Sequence, residues 1–197
     1  MKIKIQFLPI VKFRQDEVMK KLLLVSAISL TAFAAQAQIY GEVGYVSTTI
    51  KDTNEGFTIK ASPTAIRGML GYELNPNLAV EGMAAFGLSD ASIKVNGQSI
   101  PGVNFTIDHA VGIYLKPKLK LNDAVEIFGR VGYARVKGTV SVPAEGSESN
   151  TESSASYGAG LSYAINPKLS LNADYMQYLS KGGTKINGFA FGLGFKF

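Results

Sequence analysis

TKINGFAFGLGFKF, residues Thr184 to Phe197, alternates with a period of two. From Phe189 the odd positions are Phe189, Phe191, Leu193, Phe195 and Phe197; the positions between them are Ala190, Gly192, Gly194 and Lys196. Successive side chains of a strand point to opposite faces. One face is therefore a ladder of large apolar groups and the other is small or charged. Large groups outward with small or polar groups inward is the pattern of a barrel whose outer surface meets lipid.

The same pattern recurs upstream. Alternation predicts strands over 39–50, 61–74, 78–88, 103–115, 124–137, 155–165 and 169–179, which with the last makes eight. Polar segments alternate with tight turns between them. The turns are near-copies: Leu74-Asn-Pro-Asn-Leu78, Leu115-Lys-Pro-Lys-Leu119 and Ile165-Asn-Pro-Lys-Leu169. Pro presets φ, and Asn tolerates turn geometry. The longer connections are read as loops: 51–58, 89–102 and 138–154, the last rich in Ser, Gly and Glu and expected to be mobile. About ten residues per strand suffice to cross a bilayer when tilted. The fold expected is all-β, an eight-stranded antiparallel up-and-down transmembrane barrel, closed so that no edge is left in lipid.

Composition narrows the chemistry. The chain has 197 residues, 46% hydrophobic and 18% charged. It has no cysteine, so disulfides and thiolate chemistry are excluded. Its single histidine, His109, excludes a multi-histidine metal site and most catalytic triads. The net charge of +5 sits mostly in residues 1–37, whose six cations and two anions give +4 and leave +1 for the rest. A nucleic-acid partner is therefore not expected. No cofactor or metal is expected either.

The charge at the start of the chain fits an address. Lys20 and Lys21 precede an apolar run, Leu22 to Phe33, followed by Ala35-Gln36-Ala37. This reads as a cleavable signal peptide over 19–37, with Ala35 and Ala37 at the cleavage site and a mature barrel over 38–197. Residues 1–18 do not fit a signal peptide and are read as a mis-assigned start, with translation beginning at Met19.

These features together resemble the small eight-stranded outer-membrane β-barrels of Gram-negative bacteria, the group of the OmpA transmembrane domain and OmpX often labelled porin-family. The Ala-Gln-Ala signal end, the alternating strands with Asn-Pro turns and the closing Gly-Phe-Ala-Phe-Gly-Leu-Gly-Phe-Lys-Phe carry the resemblance. It implies an outer-membrane location and, for Phe189, Phe191, Leu193, Phe195 and Phe197, service as the signal read by the barrel-assembly machinery. It does not select an activity, because members are structural proteins, adhesins, narrow pores or lipid-A enzymes. The His-x-Ser pair of the enzymes is absent, since Ala110 and Val111 follow His109.

Alternation places Glu42, Arg67, Glu73, Glu81, Asp108, Glu126, Arg130 and Asp174 inside. A barrel this narrow is filled by its own side chains, so charges there must pair. Two salt-bridge clusters plugging the lumen are expected: Arg67 with Glu42 and Glu81, and Arg130 with Asp108 and Glu126. The competing reading is a narrow cation-preferring channel, supported by six inward carboxylates against two arginines and by small inward residues such as Gly158 and Gly160. On the outer face Arg135, Lys137 and Lys185 are read either as contacts to lipopolysaccharide phosphates or as ordinary rim charge. Glu145, Glu148 and Glu152 are read as a solvated acidic loop rather than a cation site. A soluble periplasmic barrel would require the inverse pattern, apolar inside and polar outside. The expected role is structural or adhesin-like and non-catalytic. The partners expected are membrane lipid and lipopolysaccharide, the assembly machinery and an extracellular molecule met through the loops, with the barrel a monomer.

Overall fold

The computed structural model describes residues 39–54, 57–143 and 146–197. The expected leader segments 1–18 and 19–37, with Ala35 and Ala37, lie outside these residues, as does Glu145.

Among the described residues all regular structure is strand: β1 (Ile39–Asn54), β2 (Phe57–Ala61), β3 (Thr64–Asn75), β4 (Leu78–Ser89), β5 (Ala91–Val95), β6 (Gln98–Lys120), β7 (Val125–Val142), β8 (Gly146–Asn166), β9 (Leu169–Lys181) and β10 (Thr184–Lys196). Eight of them form the wall in the order β1-β3-β4-β6-β7-β8-β9-β10. Antiparallel pairing of β10 with β1, from Tyr40 opposite Lys196 to Asp52 opposite Thr184, closes the ring. Closure satisfies the backbone without an edge in the hydrocarbon region.

The outer surface is apolar. Leu70, Ile113, Val131, Leu161, Phe191 and Leu193 point away from the axis and are exposed. Tyr45, Tyr72, Tyr133, Tyr157, Tyr163 and Tyr175 are exposed among them, as an aromatic girdle requires. This outward apolar face rules out the soluble alternative. The core lies within the barrel, where Val46, Met69, Met83, Tyr114, Val136, Met176 and Ile186 form one cluster.

The three long connections are not loops. β7 and β8 pair without interruption up to Val142 opposite Gly146. Thr139–Ser149 and Ser141–Ser147 hydroxyl pairs tie that ribbon at 2.8 and 2.9 Å. β2 pairs with the end of β1, β5 with the start of β6, and β2 with β5. The wall therefore continues past the apolar belt, on the side opposite the short Asn-Pro turns. Longer connections of this kind are extracellular in such barrels. A strand wet on both faces has no apolar alternation, so periodicity missed these extensions. Two turns were nonetheless written in the sequence. Asn96 and Gly97 have φ of 49° and 90°, and Gly182 and Gly183 have 59° and 89°. Positive φ at both central residues is the two-residue hairpin turn that Asn-Gly and Gly-Gly favour.

One wall strand departs from its expected phase. The β6–β7 register shifts between Ile107 and His109, a bulge that turns the preceding residues over. Ile107 is buried and Phe105 packs on the inner cluster, although the alternation that puts Asp108 inside puts both outside. His109 stays outside and exposed, opposite Phe86 and Lys137.

Candidate functional site: the closed lumen and the extracellular wall

Glu42, Arg67, Glu81, Arg130 and Asp174 meet inside the barrel. Arg67 Nη2 donates to Glu42 Oε1 and to Asp174 Oδ2, both at 2.6 Å. Its Nη1 donates to Asp174 Oδ1 at 2.8 Å and to the Tyr178 hydroxyl at 2.9 Å. Arg130 Nε donates to Glu81 Oε2 at 2.5 Å, Nη1 to Asp174 Oδ2 at 2.9 Å and Nη2 to Glu42 Oε2 at 2.9 Å. The two arginines share Glu42 and Asp174, so the expected two clusters are one. The planar guanidinium fork makes this sharing possible, because each arginine presents several donors in fixed directions.

Two expected partners are elsewhere. Asp108 accepts from Thr139 Oγ1 at 2.9 Å and lies 3.7 Å from Lys137 Nζ; the β6–β7 register sets it beside Lys137 and Gly138, whereas Arg130 lies far along β7, between the Leu115–Val131 and Lys118–Phe128 pairs. Glu126 lines the opposite end of the lumen with Lys118, Ser162 and Lys196. Glu73 belongs to that end as well, where it accepts from Lys118 Nζ at 2.6 Å and lies 3.4 Å from Lys196 Nζ. Glu81 pairs with Arg130, not with Arg67.

Several members were missed from sequence. Lys116 Nζ lies 3.2 Å from Glu81 Oε1 and stands over the Phe128 ring at 4.3 Å. It was placed in a turn, but β6 runs on to Lys120 and the turn begins at Leu121. The signal was present: Gly112, Tyr114, Lys116 and Lys118 keep the inward phase while Leu115 and Leu119 stay outside. Tyr40 donates to Glu81 Oε1 at 2.7 Å, and Asn172 Nδ2 to Glu42 Oε2 at 2.9 Å. Tyr178 arrives through an irregularity: β10 pairs Ile186 with Leu179 and Asn187 with Gln177, which leaves Tyr178 as the extra residue.

The central network is charge-balanced, with Arg67, Arg130 and Lys116 against Glu42, Glu81 and Asp174. Balance is what a dehydrated interior demands. Adding Lys118 and counting Glu73 and Glu126 gives four inward cations against five carboxylates. The strongly negative lumen expected for a cation channel is therefore absent. The small residues read as room for water are sockets instead: the Met176 side chain lies over Gly158 and the Phe128 ring over Gly160. Next to the ionic layer is an apolar one. Val46, Ala65, Ala85, Ile107, Ala110, Val136 and Ile186, with Thr48 and Tyr178, line a pocket of about 20 Å³, room for about one water.

Outside, Arg135 and Lys137 share the outer phase of β7. Lys185 stands three strands further round, on β10. The three cations expected to act alike therefore form two separate places. Glu152 accepts from Lys181 Nζ at 2.6 Å, tying β8 to β9. No cluster of acids or histidines suited to a metal ion is present among the described residues.

A closed antiparallel ring, apolar outside and ion-paired inside, defines a transmembrane β-barrel. Residues 21–197 match the family described as "Outer membrane protein beta-barrel domain", and the chain belongs to that family. It is a protein of the bacterial outer membrane. It is 26% identical over 185 residues to the attachment invasion locus protein of Yersinia pseudotuberculosis, covering 91% of this chain and 98% of that one. Among solved structures, Ail of Yersinia pestis in complex with the heparin analogue sucrose octasulfate matches at 22% identity and a TM-score of 0.59, over 81% of this chain and 98% of that one. Neisserial surface protein A matches at 17% identity and a TM-score of 0.61, over 81% and 97%.

Proposed function

We propose that this barrel is a surface-attachment protein: a closed membrane anchor that raises a rigid, polar wall above the outer leaflet to meet an extracellular partner. The observation that carries it is the wall itself. The β7–β8 ribbon stays paired through Ser147 and Ser149, outside the apolar belt, and presents hydroxyls and charges on both faces. The sealed lumen supports the same reading, since it leaves the extracellular surface as the place for interaction. Full-length similarity to attachment invasion proteins agrees with it. The barrel acts without catalysis or cofactor, as a monomer.

Residues 19–37 serve as its signal peptide, cleaved after Ala37, and 1–18 are not translated. Phe189, Phe191, Leu193, Phe195 and Phe197 serve in assembly; all five are exposed, the first four on the outer face of β10 and Phe197 just past its end. Arg135 and Lys137, and separately Lys185, hold lipopolysaccharide phosphates. The test of the main reading is expression of the full chain in a non-adherent Gram-negative host, scored by attachment to cultured epithelial cells. A variant with residues 138–154 replaced by a short turn is scored beside it. Attachment by the full chain and its loss in the folded variant are expected. A full chain no more adherent than the empty host overturns the proposal.

A further inference from the structure

Beyond the apolar layer of the lumen, the axis-facing side of the extracellular wall is apolar again. Ala61 of β2 is opposite Ile50 of β1, and both are buried in the barrel. Phe57 and Ile59 keep the phase of Ala61. From the other side, Phe105 of β6 packs on the inner cluster and is opposite Ala91 of β5. Ile93 and Val95 keep the phase of Ala91. The two routes meet, because Val95 is opposite Ile59. Val140 of β7, opposite Phe105, extends the same face. Four adjacent strands thus turn one apolar surface toward the axis, roughly 14 Å wide at about 4.8 Å per strand. Water reaches it: Phe57 is 60% exposed and Ile59 40%. Apolar residues exposed singly need no explanation, but a contiguous patch marks an interaction surface. Lipid does not cover it, since Lys60 and Lys94, alternating with these residues, take the outward phase.

Acids border this face at both ends. Asp52 of β1 is opposite Ile59, and Glu148 of β8 is opposite Val140, so both share the axis-facing side. Glu152, opposite Val136, lies on that side too and pairs with Lys181. Asp52 accepts from Thr184 Oγ1. Glu148 is exposed and has no ion-pair partner among the described residues. We propose that this face docks a segment of an extracellular protein that has a bulky apolar centre and a basic residue at each end. This rests on the surface-attachment reading and names the partner's chemistry. Apolar side chains of the segment cover Phe57, Ile59 and Phe105, and its cations meet Asp52 and Glu148. A fatty acid or a polyanion would meet both acids with like charge. Both β2 and β5 are paired on either side, so they offer a face and not a free edge. Recognition therefore runs through side chains rather than strand addition.

The test uses the full chain, exported, extracted folded and placed in phosphatidylcholine nanodiscs. The probe is the peptide Lys-Ser-Phe-Ser-Phe-Ser-Lys, whose extended form sets its lysines and phenylalanines on one face over roughly 20 Å. Comparison peptides carry Glu for Lys or Ser for Phe, and decanoate stands for a simple lipid. The variants are Phe57→Ser with Ile59→Ser, Glu148→Gln and, as a control on the outward side of the same strands, Lys60→Gln with Lys94→Gln. A gel shift between boiled and unboiled samples verifies folding of each. The expected result is salt-sensitive binding of the first peptide alone, above that to empty discs. It is weakened about tenfold or more by the paired serine substitutions, severalfold by Glu148→Gln and not at all in the control. Binding that ignores Phe57 and Ile59, that follows Lys60 and Lys94, or that the acidic peptide or decanoate matches overturns the proposal. So does binding no greater than to empty discs. Cell attachment of the same variants is scored separately. Attachment that persists after the folded Phe57→Ser and Ile59→Ser change overturns docking on this face alone, whereas a full chain that binds the peptide but no cells overturns the attachment reading.

Discussion

Arg130 donates to three carboxylates at once: Glu42, Glu81 and Asp174. Truncating it would strand part of that negative charge in a dehydrated space. Arg130→Ala is therefore expected to cost about 3–5 kcal/mol, the range for breaking a buried ion pair from one side. Urea unfolding in lipid vesicles would measure it, and an unchanged midpoint would show that the network carries no stability. Gly71 has a different task. Tyr40 is its cross-strand partner, and the ring lies where a Cβ at 71 would stand. That bare backbone lets Tyr40 lie across β3 and donate to Glu81 on β4. Gly71→Val is expected to displace the ring, lose that hydrogen bond and cost about 2–4 kcal/mol. Adding Tyr40→Ala should relieve much of the loss, since the two changes share one clash.

At the scale of elements, the contact between β8 and β9 at the extracellular end depends on charge. The Lys181 ammonium, hydrogen-bonded to Glu152, holds that carboxyl below its ordinary range, and Glu152 in turn raises Lys181. A depressed carboxyl stabilises above its unfolded pKa, and that contribution vanishes as pH falls through the folded value. The raised Lys181 loses its share only as pH rises through its own folded value. Acidification below the usual carboxylate range is therefore expected to speed amide exchange near Glu152 and Lys181 and to leave the wall strands unchanged. Lys181→Gln should abolish the pH dependence; a transition that persists in that variant would assign it to another group. The wall strands themselves were legible because lipid on one side and a filled lumen on the other impose a strict period of two. The extensions were not, because water on both faces of β7–β8 imposes no period. A bulge is similarly silent: nothing in Phe105, Ile107 and His109 distinguishes a continuous outer face from one that turns over midway. Inward charges were found where the phase was unbroken, as at Glu42, Arg67 and Asp174, and misassigned where it was broken, as at Asp108.

For the whole molecule, ion conduction would need two seals to fail together. One is the charge-balanced layer around Arg67 and Arg130, whose groups are consumed by each other. The other is the apolar layer of Val46, Ile107, Val136 and Ile186, whose pocket of about 20 Å³ has room for about one water. An apolar constriction blocks ions because it does not wet, and it does so whether or not the salt bridges are intact. The folded barrel in a planar bilayer is therefore expected to be silent, and Arg130→Ala is expected to be silent too while losing resistance to urea. Discrete current steps are expected only when the second layer is also cut back, by adding Val136→Gly and Ile186→Gly to Arg130→Ala. Any such current should select weakly between cations and anions, because Lys116 and Lys118 face the same passage as Glu73, Glu81 and Glu126. Steps from the folded parent, or from Arg130→Ala alone, would show that the apolar layer does not seal. The lumen would then be a pathway whose gate is the arginine network, and the case for reading the barrel as an anchor for its extracellular wall would lose its second support.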